Sequence, residues 1–312
     1  MKKRLHNLFI ALLILGPVGM VAGYAQVSVD GQAPRFRSGA DVVTIQASVR
    51  SNRGRPVAGL TAADFEVRDN GELRPILSLR ADLRSPISLA ILVDMSGSMA
   101  VGSKIAMARH AFDSVIGHLR SGEDEVAVFT FDSALHARRP FTNDLARLEG
   151  AVDEFEPFGS TSLYDAAAAA ARQLADRSAT HKALIVLTDG TDTSSSLTAS
   201  EVSGLASSIA VPVYVVATVP SLDQREMMEA SERAGQSEAA DLRDLAAWTG
   251  GQLVFASSFT ETGLAASRLV NEVRQQYILA IEAADTREWR RLDVRVKRPS
   301  SVVKARSGYF GG

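Results

Sequence analysis

The sequence predicts an α/β fold: a mostly parallel sheet with helices on both faces, inserted in a small β-sandwich formed by the N- and C-terminal strands. Three observations lead there. Strand-like and helix-like periods alternate from about Ser85 to Gln275, the pattern of parallel strands joined by crossover helices. Short alternating runs without helical period occupy both Asp41–Arg84 and the stretch from Gln276 onward. Neither flank alone would bury much surface, so the two are expected to pair.

The elements follow in order. Met1-Lys2-Lys3-Arg4 is a positive start, Leu8–Leu15 an unbroken apolar run, and Gly23-Tyr24-Ala25 supplies small residues at the positions a signal peptidase reads. This is a secretory leader with cleavage expected after Ala25, leaving an exported chain, secreted or periplasmic, with no membrane span. The alternative is an uncut anchor, because residues 5–29 carry no charge. Residues 26–84 then form the N-terminal β segment, 85–275 the α/β domain and 276–312 the C-terminal β segment.

In the first segment Val43–Val49 alternates apolar and polar residues, and Asn52–Pro56 makes a turn. Asp64–Arg68 is a short strand, Asp69-Asn70-Gly71 carries a tight-hairpin signal, and Ile76–Arg80 reads as the return strand. In the α/β zone Ile87–Val93 is a nearly continuous apolar run, as in a strand covered on both faces. Ile105, Ala108, Phe112, Val115, Ile116 and Leu119 share one side of the following helix. Strands are expected at Val126–Phe131, Leu135–Phe141, Ala183–Leu187, Val213–Ala217 and Gln252–Ala256. Helices are expected at Asp144–Phe155, Ser162–Asp176, after the capping box Thr198-Ala199-Ser200-Glu201, around Leu242–Trp248 and around Leu264–Arg274. Tyr277–Ile281, Leu292–Val296 and Val302–Tyr309 are the closing strands.

Composition narrows the function. The chain has 312 residues, 46% hydrophobic, with 34 basic and 36 acidic side chains and no cysteine. That is an ordinary globular balance, which excludes collagen-like, low-complexity and wholly disordered readings. Without cysteine there are no disulfides, thiolate metal sites or cysteine nucleophiles, so stability rests on packing. Losing the leader's three positive charges takes the net charge from −2 to −5, which gives no support for nucleic-acid binding.

The chemistry concentrates after the first α/β strand, at Asp94-Met95-Ser96-Gly97-Ser98. An aspartate and two hydroxyls at i, i+2 and i+4 point to one side of extended backbone. They lie beyond the C-terminal end of a parallel strand, where open α/β sheets place ligands. Gly159–Asp165 before the alanine-rich helix and Leu187-Thr188-Asp189-Gly190 after the next buried strand add oxygen side chains at the same sheet edge. Together these residues resemble the metal-ion-dependent adhesion site of von Willebrand factor A domains, over about 190 of the 312 residues. The resemblance implies a Rossmann-like domain in which Asp94, Ser96, Ser98, Thr161 and Asp189 surround a divalent cation. It implies direct contacts from the serines and threonine, and direct or water-mediated contacts from the aspartates. It also implies that a shift of the helix after the site couples binding to the domain's shape. Asp64–Val67 with Asp69-Asn70-Gly71, Gln276-Tyr277 and Gly308-Tyr309 are similar to bacterial secreted proteins in which β segments flank such a domain.

An all-oxygen donor set favours a hard ion, Mg²⁺ first, with Mn²⁺ or Ca²⁺ as alternatives. Two carboxylates only offset the ion, leaving it electrophilic toward the Glu or Asp carboxylate of a protein partner. The reading is therefore a non-enzymatic adhesion-type module. The alternatives are a metal-dependent hydrolase, which would need a base or nucleophile the sequence does not supply, and a structural module with a vestigial site. Gly97–Lys104 is close to a phosphate-binding loop, but its last two residues are inverted, which argues against nucleotide binding. His110, His118, His136 and His181 show no i, i+4 pairing. The basic stretch Arg287–Arg306 and the acidic stretch Ser221–Asp241 read as solvated faces, and Trp248 and Trp289 as packing residues.

Overall fold

The computed structural model describes residues 42–81, 85–219 and 238–311, with Arg225 and Glu229. The expected leader and most of the acidic stretch lie outside the described residues. Four strands come first: β1 (Val42–Ser51), β2 (Phe65–Asp69), β3 (Glu72–Arg74) and β4 (Ile76–Ala81). The α/β zone contributes β5 (Ile87–Asp94), α1 (Lys104–Gly117), β6 (Glu125–Phe131), β7 (Leu135–Thr142), α2 (Leu163–Ala175) and β8 (His181–Thr188). It continues with α3 (Ala199–Ser208), β9 (Val213–Thr218), α4 (Glu238–Thr249), β10 (Gln252–Ala256) and α5 (Phe259–Arg274). The last strands are β11 (Gln276–Glu282), β12 (Trp289–Val296), β13 (Ser301–Ala305) and β14 (Gly308–Phe310).

The central sheet has the order β10-β9-β8-β5-β6-β7, parallel except for β7. All of β5 is buried, and its alternation feeds two cores. Leu89, Ile91 and Val93 pack with α1 and α5, while Ala90 and Leu92 pack with α2, α3 and α4. The run of six alanines in α2, Ala166–Ala171, lets that helix lie close to the sheet. Thr198 caps α3 as expected, accepting from Glu201 N–H while the Glu201 carboxylate accepts from Thr198 N–H. Strand order reverses at β5, with β6 and β7 on one side and β8 to β10 on the other, which opens a crevice at the C-terminal edge.

The flanking strands form two antiparallel four-stranded sheets, β13-β1-β11-β4 and β14-β12-β2-β3. Each contains strands from both ends of the chain. Ile45, Ala47, Leu279 and Ile281 of one sheet share a core with Phe65, Val67, Leu292 and Tyr309 of the other. The sandwich meets the N-terminal edge of the parallel sheet. Gln46 Nε2 donates to Thr180 O before β8 (3.0 Å), and Gln276 Nε2 to the Tyr214 hydroxyl in β9 (3.2 Å). Ser307 N–H donates to Trp248 O before β10 (2.8 Å). Among the described residues no helix is long and apolar enough to cross a membrane.

Three local expectations are corrected. The return strand of the Asn70-Gly71 hairpin is β3, with Val67 opposite Arg74, whereas the strand from Ile76 pairs with β11 in the other sheet. Pro75, between them, has no N–H for the ladder. The helix expected at Asp144–Phe155 is only a 3₁₀ turn, Leu145–Leu148, because Gly150 takes a left-handed φ of 67°. Val302–Tyr309 is two strands in different sheets. The switch falls at Arg306, whose buried guanidinium donates to Ser207 O and to Thr44 O (2.7 Å).

Candidate metal centre

Asp94 and Thr188 end β5 and β8, neighbouring parallel strands paired through Val93 and Leu187. That register sets their side chains together, and Thr188 Oγ1 donates to Asp94 Oδ2 at 2.6 Å. Asp94 Oδ1 accepts from Ser96 N–H at 2.8 Å. Burial pushes the Asp94 carboxyl up to about 6; its hydrogen bonds from Ser96 and Thr188 oppose the rise, and the charge of nearby Asp189 adds to it.

Ser96 and Ser98 converge, with their hydroxyl oxygens 3.1 Å apart. They do so through a turn rather than through the extended backbone expected, since Gly97–Ala100 is a short 3₁₀ helix. Two backbone bonds tie this loop to the one carrying Thr161: Gly97 N–H to Gly159 O (3.0 Å) and Phe158 N–H to Met95 O (2.8 Å). A Cβ on Gly97 would stand 3.3 Å from Gly159 O, and Gly159 itself has φ of 86°. Thr161 is held on its other side by the 190–197 loop. Its N–H donates to Thr193 Oγ1 (2.8 Å), and its carbonyl accepts from Thr193 N–H (2.9 Å) and Ser194 N–H (3.0 Å).

Asp189 follows Thr188 and is 5% exposed. One of its oxygens accepts from Lys104 Nζ at 2.8 Å, and the other, Oδ1, is buried without a hydrogen-bond partner. A buried carboxylate oxygen left open is costly unless a cation completes it. Lys104 and Thr188 were missed as participants. The inverted phosphate-loop reading did place Lys104 one residue late on α1, away from a phosphate, but not against Asp189, 85 residues away. Among the described residues no three His, Cys, Asp or Glu side chains gather as a metal cluster, so a cation at this edge would depend on hydroxyl oxygens. The five residues fit a hard divalent ion by donor chemistry: two carboxylates, one partly unsatisfied, and three hydroxyls. The histidines are engaged elsewhere, His136 with Asp132 (3.3 Å), His118 with Ser114 O (2.6 Å) and His110 edge-on to Phe259.

A doubly covered, mostly parallel sheet with hydroxyls and carboxylates at its switch point defines an open α/β ligand-binding domain. Residues 89–191 match the von Willebrand factor type A domain family, and the chain carries such a domain. Among solved structures, a von Willebrand factor type A protein from Catenulispora acidiphila is similar at 13% identity and a TM-score of 0.52, covering 88% of this chain and 76% of that one. Proximal thread matrix protein 1 from the mussel byssus, with a zinc-occupied MIDAS motif, is similar at 15% identity and a TM-score of 0.50. The match covers 72% of this chain and only half of the mussel protein. At these identities the likeness is one of fold. No curated protein matches the sequence.

Proposed function

We propose that this is an exported, non-catalytic interaction protein. Asp94, Ser96, Ser98, Thr161 and Asp189 hold a divalent cation, Mg²⁺ first, and through it capture a Glu or Asp side chain of a protein partner. The observation that carries the reading is Asp189 Oδ1, buried and unpartnered beside the site's other carboxylate. The cation, when bound, supplies a Lewis-acidic position for the partner's carboxylate.

The chain's own residues do the rest. Asp94 is oriented from behind by Ser96 N–H and Thr188 Oγ1, so its charge is fixed in place. The cross-loop bonds at Gly97 and Phe158 hold the serine loop and the Thr161 loop in one arrangement. Phe158 and Val101, 82% and 64% exposed, give apolar contact area on the two loops that carry the hydroxyls. Mn²⁺, Ca²⁺ and the zinc reported for the mussel relative are alternatives for the same donors.

Calorimetry with Mg²⁺ on the chain from Gln26 tests the reading: one ion per chain is expected for wild type and none for Asp94→Ala. No binding by wild type, or unchanged binding by the variant, would overturn it. A Mg²⁺-dependent pull-down from the source cell's envelope and medium, with EDTA and Ser96→Ala controls, then finds the partner. Turnover of a phosphate ester that disappears in Asp94→Ala would instead favour the hydrolase.

A further inference from the structure

A cleft of about 440 Å³ lies where the sandwich meets the α/β domain, away from the cation site. Strand and helix periods bring its walls together. Arg50 of β1 stands opposite Val302 of β13, and Lys304 follows Val302 on the same face of that strand. Arg268, Leu269 and Glu272 lie along one side of α5, and Gln252 of β10 closes the wall between them. Arg53 joins from the turn after β1. That turn is fixed by its own backbone: Gly54 N–H donates to Ser51 O (2.7 Å), Asn52 N–H to Ser300 O (3.0 Å), and Arg50 Nη1 to Gly54 O (2.9 Å).

The charges of this cleft do not balance. Its lining holds four basic side chains and one acidic one. Glu272 is 3% exposed, and both inner cations turn to it, Arg50 Nε at 2.9 Å and Lys304 Nζ at 3.3 Å. Lys304 also donates to Gln252 Oε1, so it faces inward although its basic stretch was expected to be a solvated face. One buried carboxylate thus serves two cations. The outer pair, Arg53 and Arg268, is exposed, and among the described residues neither guanidinium has an ion pair or a hydrogen bond.

The accessible charge selects the ligand. Two uncommitted guanidinium forks face the cleft, while its single carboxylate is buried and doubly paired. A cationic ligand would meet a net of three positive charges. A neutral ligand could accept hydrogen bonds from the arginines but would leave that charge uncompensated. An anion with several oxygens compensates it, and the planar fork of arginine matches carboxylate and phosphate oxygens in pairs. The volume is that of a site for one small molecule. From this we infer that the cleft binds a small multivalent oxyanion, a phosphate ester or an oligocarboxylate, with Arg53 and Arg268 as its contacts.

Calorimetry on the full-length protein, stripped of divalent ions, tests this in about 0.15 M NaCl, where the Debye length is about 8 Å. The probes are pyrophosphate, glycerol 3-phosphate and citrate, which separate phosphate from carboxylate sources; spermine, glucose and heparin are the contrasting arms. At least one small oxyanion should saturate the site with a Kd below about 1 mM. Its affinity should fall about tenfold or more in Arg53→Gln and in Arg268→Gln, the loss of a charge-assisted contact. Both variants should keep the wild-type thermal midpoint, because neither arginine has a partner to lose. Arg291→Gln makes the same charge change outside the lining and should leave affinity unchanged. Val302→Trp fills the cleft from an exposed strand position, keeps every charge and should abolish binding. Asp94→Ala should leave oxyanion binding unchanged, which separates this site from the cation site. Saturation by none of the small oxyanions, or only by a contrasting arm, would overturn the inference. So would equal weakening in Arg291→Gln, or affinity undiminished in both Arg53→Gln and Arg268→Gln.

Discussion

Lys104→Met removes an ammonium from the edge of the cation site while keeping most of the aliphatic stem. Nζ stands 2.8 Å from Asp189 Oδ2, with the lysine side chain 17% and the aspartate side chain 4% exposed. At that distance the direct attraction is about 6 kcal/mol for an effective dielectric constant near 20. Most of it is offset by the desolvation of both charges. The remainder is that of a charge-assisted hydrogen bond, about 2 kcal/mol. The variant should therefore lose about 2 kcal/mol of stability in EDTA, where the buried Asp189 side chain is left without its Lys104 partner.

The same energy returns with opposite sign in cation affinity. In wild type a divalent ion competes with Lys104 for Asp189, and in the variant it does not. Mg²⁺ should then bind about thirty-fold more tightly, the equivalent of about 2 kcal/mol. Urea unfolding across a Mg²⁺ series reads both effects at once, because the ion stabilises the folded state in proportion to the logarithm of its excess over Kd. The variant's deficit should shrink as Mg²⁺ rises and vanish at saturation, where the two terms of about 2 kcal/mol cancel. Weaker Mg²⁺ binding by Lys104→Met would mean that the lysine supports the loaded site, and the competition argument would be wrong.

Three further outcomes are expected. Thr188→Val removes the 2.6 Å donor to a buried carboxylate and should cost about 2 kcal/mol by urea unfolding in EDTA, with weaker Mg²⁺ binding as Asp94 loses its orientation. Asp124 is fully buried; burial alone would raise its pKa, but Arg274 and the N–H groups of Arg120 and Ile87 outweigh that and hold it below the ordinary carboxylate value. Its stabilisation is thus complete above about pH 4 and lost as pH falls through the depressed folded-state value. Asp124→Asn should cost about 3 kcal/mol at pH 7 and flatten the acid limb of a stability-against-pH curve. Phe158→Ser should leave the thermal midpoint unchanged, since the ring is 82% exposed, while reducing Mg²⁺-dependent partner capture several-fold in the pull-down.

What could be read from the sequence was what is local. β5 is recognisable because every one of its residues is buried, so its apolar run up to Val93 is interrupted only by Ser88. The cap of α3 and the Asp94–Ser98 spacing depend on neighbours within four residues. Pairings set by sheet register were not legible. Nothing near Ile76 says that its strand leaves the hairpin for β11, and nothing near Lys104 says that a residue 85 positions later receives its ammonium. The helix expected over Asp144–Phe155 failed for a different reason, a glycine whose left-handed backbone overrides a favourable apolar spacing. Arg306 shows the same limit, because its burial is tolerated only through carbonyls of Ser207 and Thr44, from two distant parts of the chain.

The insertion of one fold into the other has a functional consequence. The chain enters β5 from β4 and leaves α5 directly into β11, so both crossings lie at the N-terminal edge of the parallel sheet. Arg274, closing α5, ion-pairs there with Asp124 ahead of β6 (2.6 Å), and Glu272 pairs with Arg50 of β1 (2.9 Å). Every one of these attachments is at the edge opposite Asp94 and Asp189. A partner approaching the C-terminal edge therefore does not compete with these attachments. The packed route from the cation site toward the sandwich runs along α1 and α5. Those helices pack together closely enough that a Cβ on Gly263 of α5 would lie 3.4 Å from His110 Nε2 of α1.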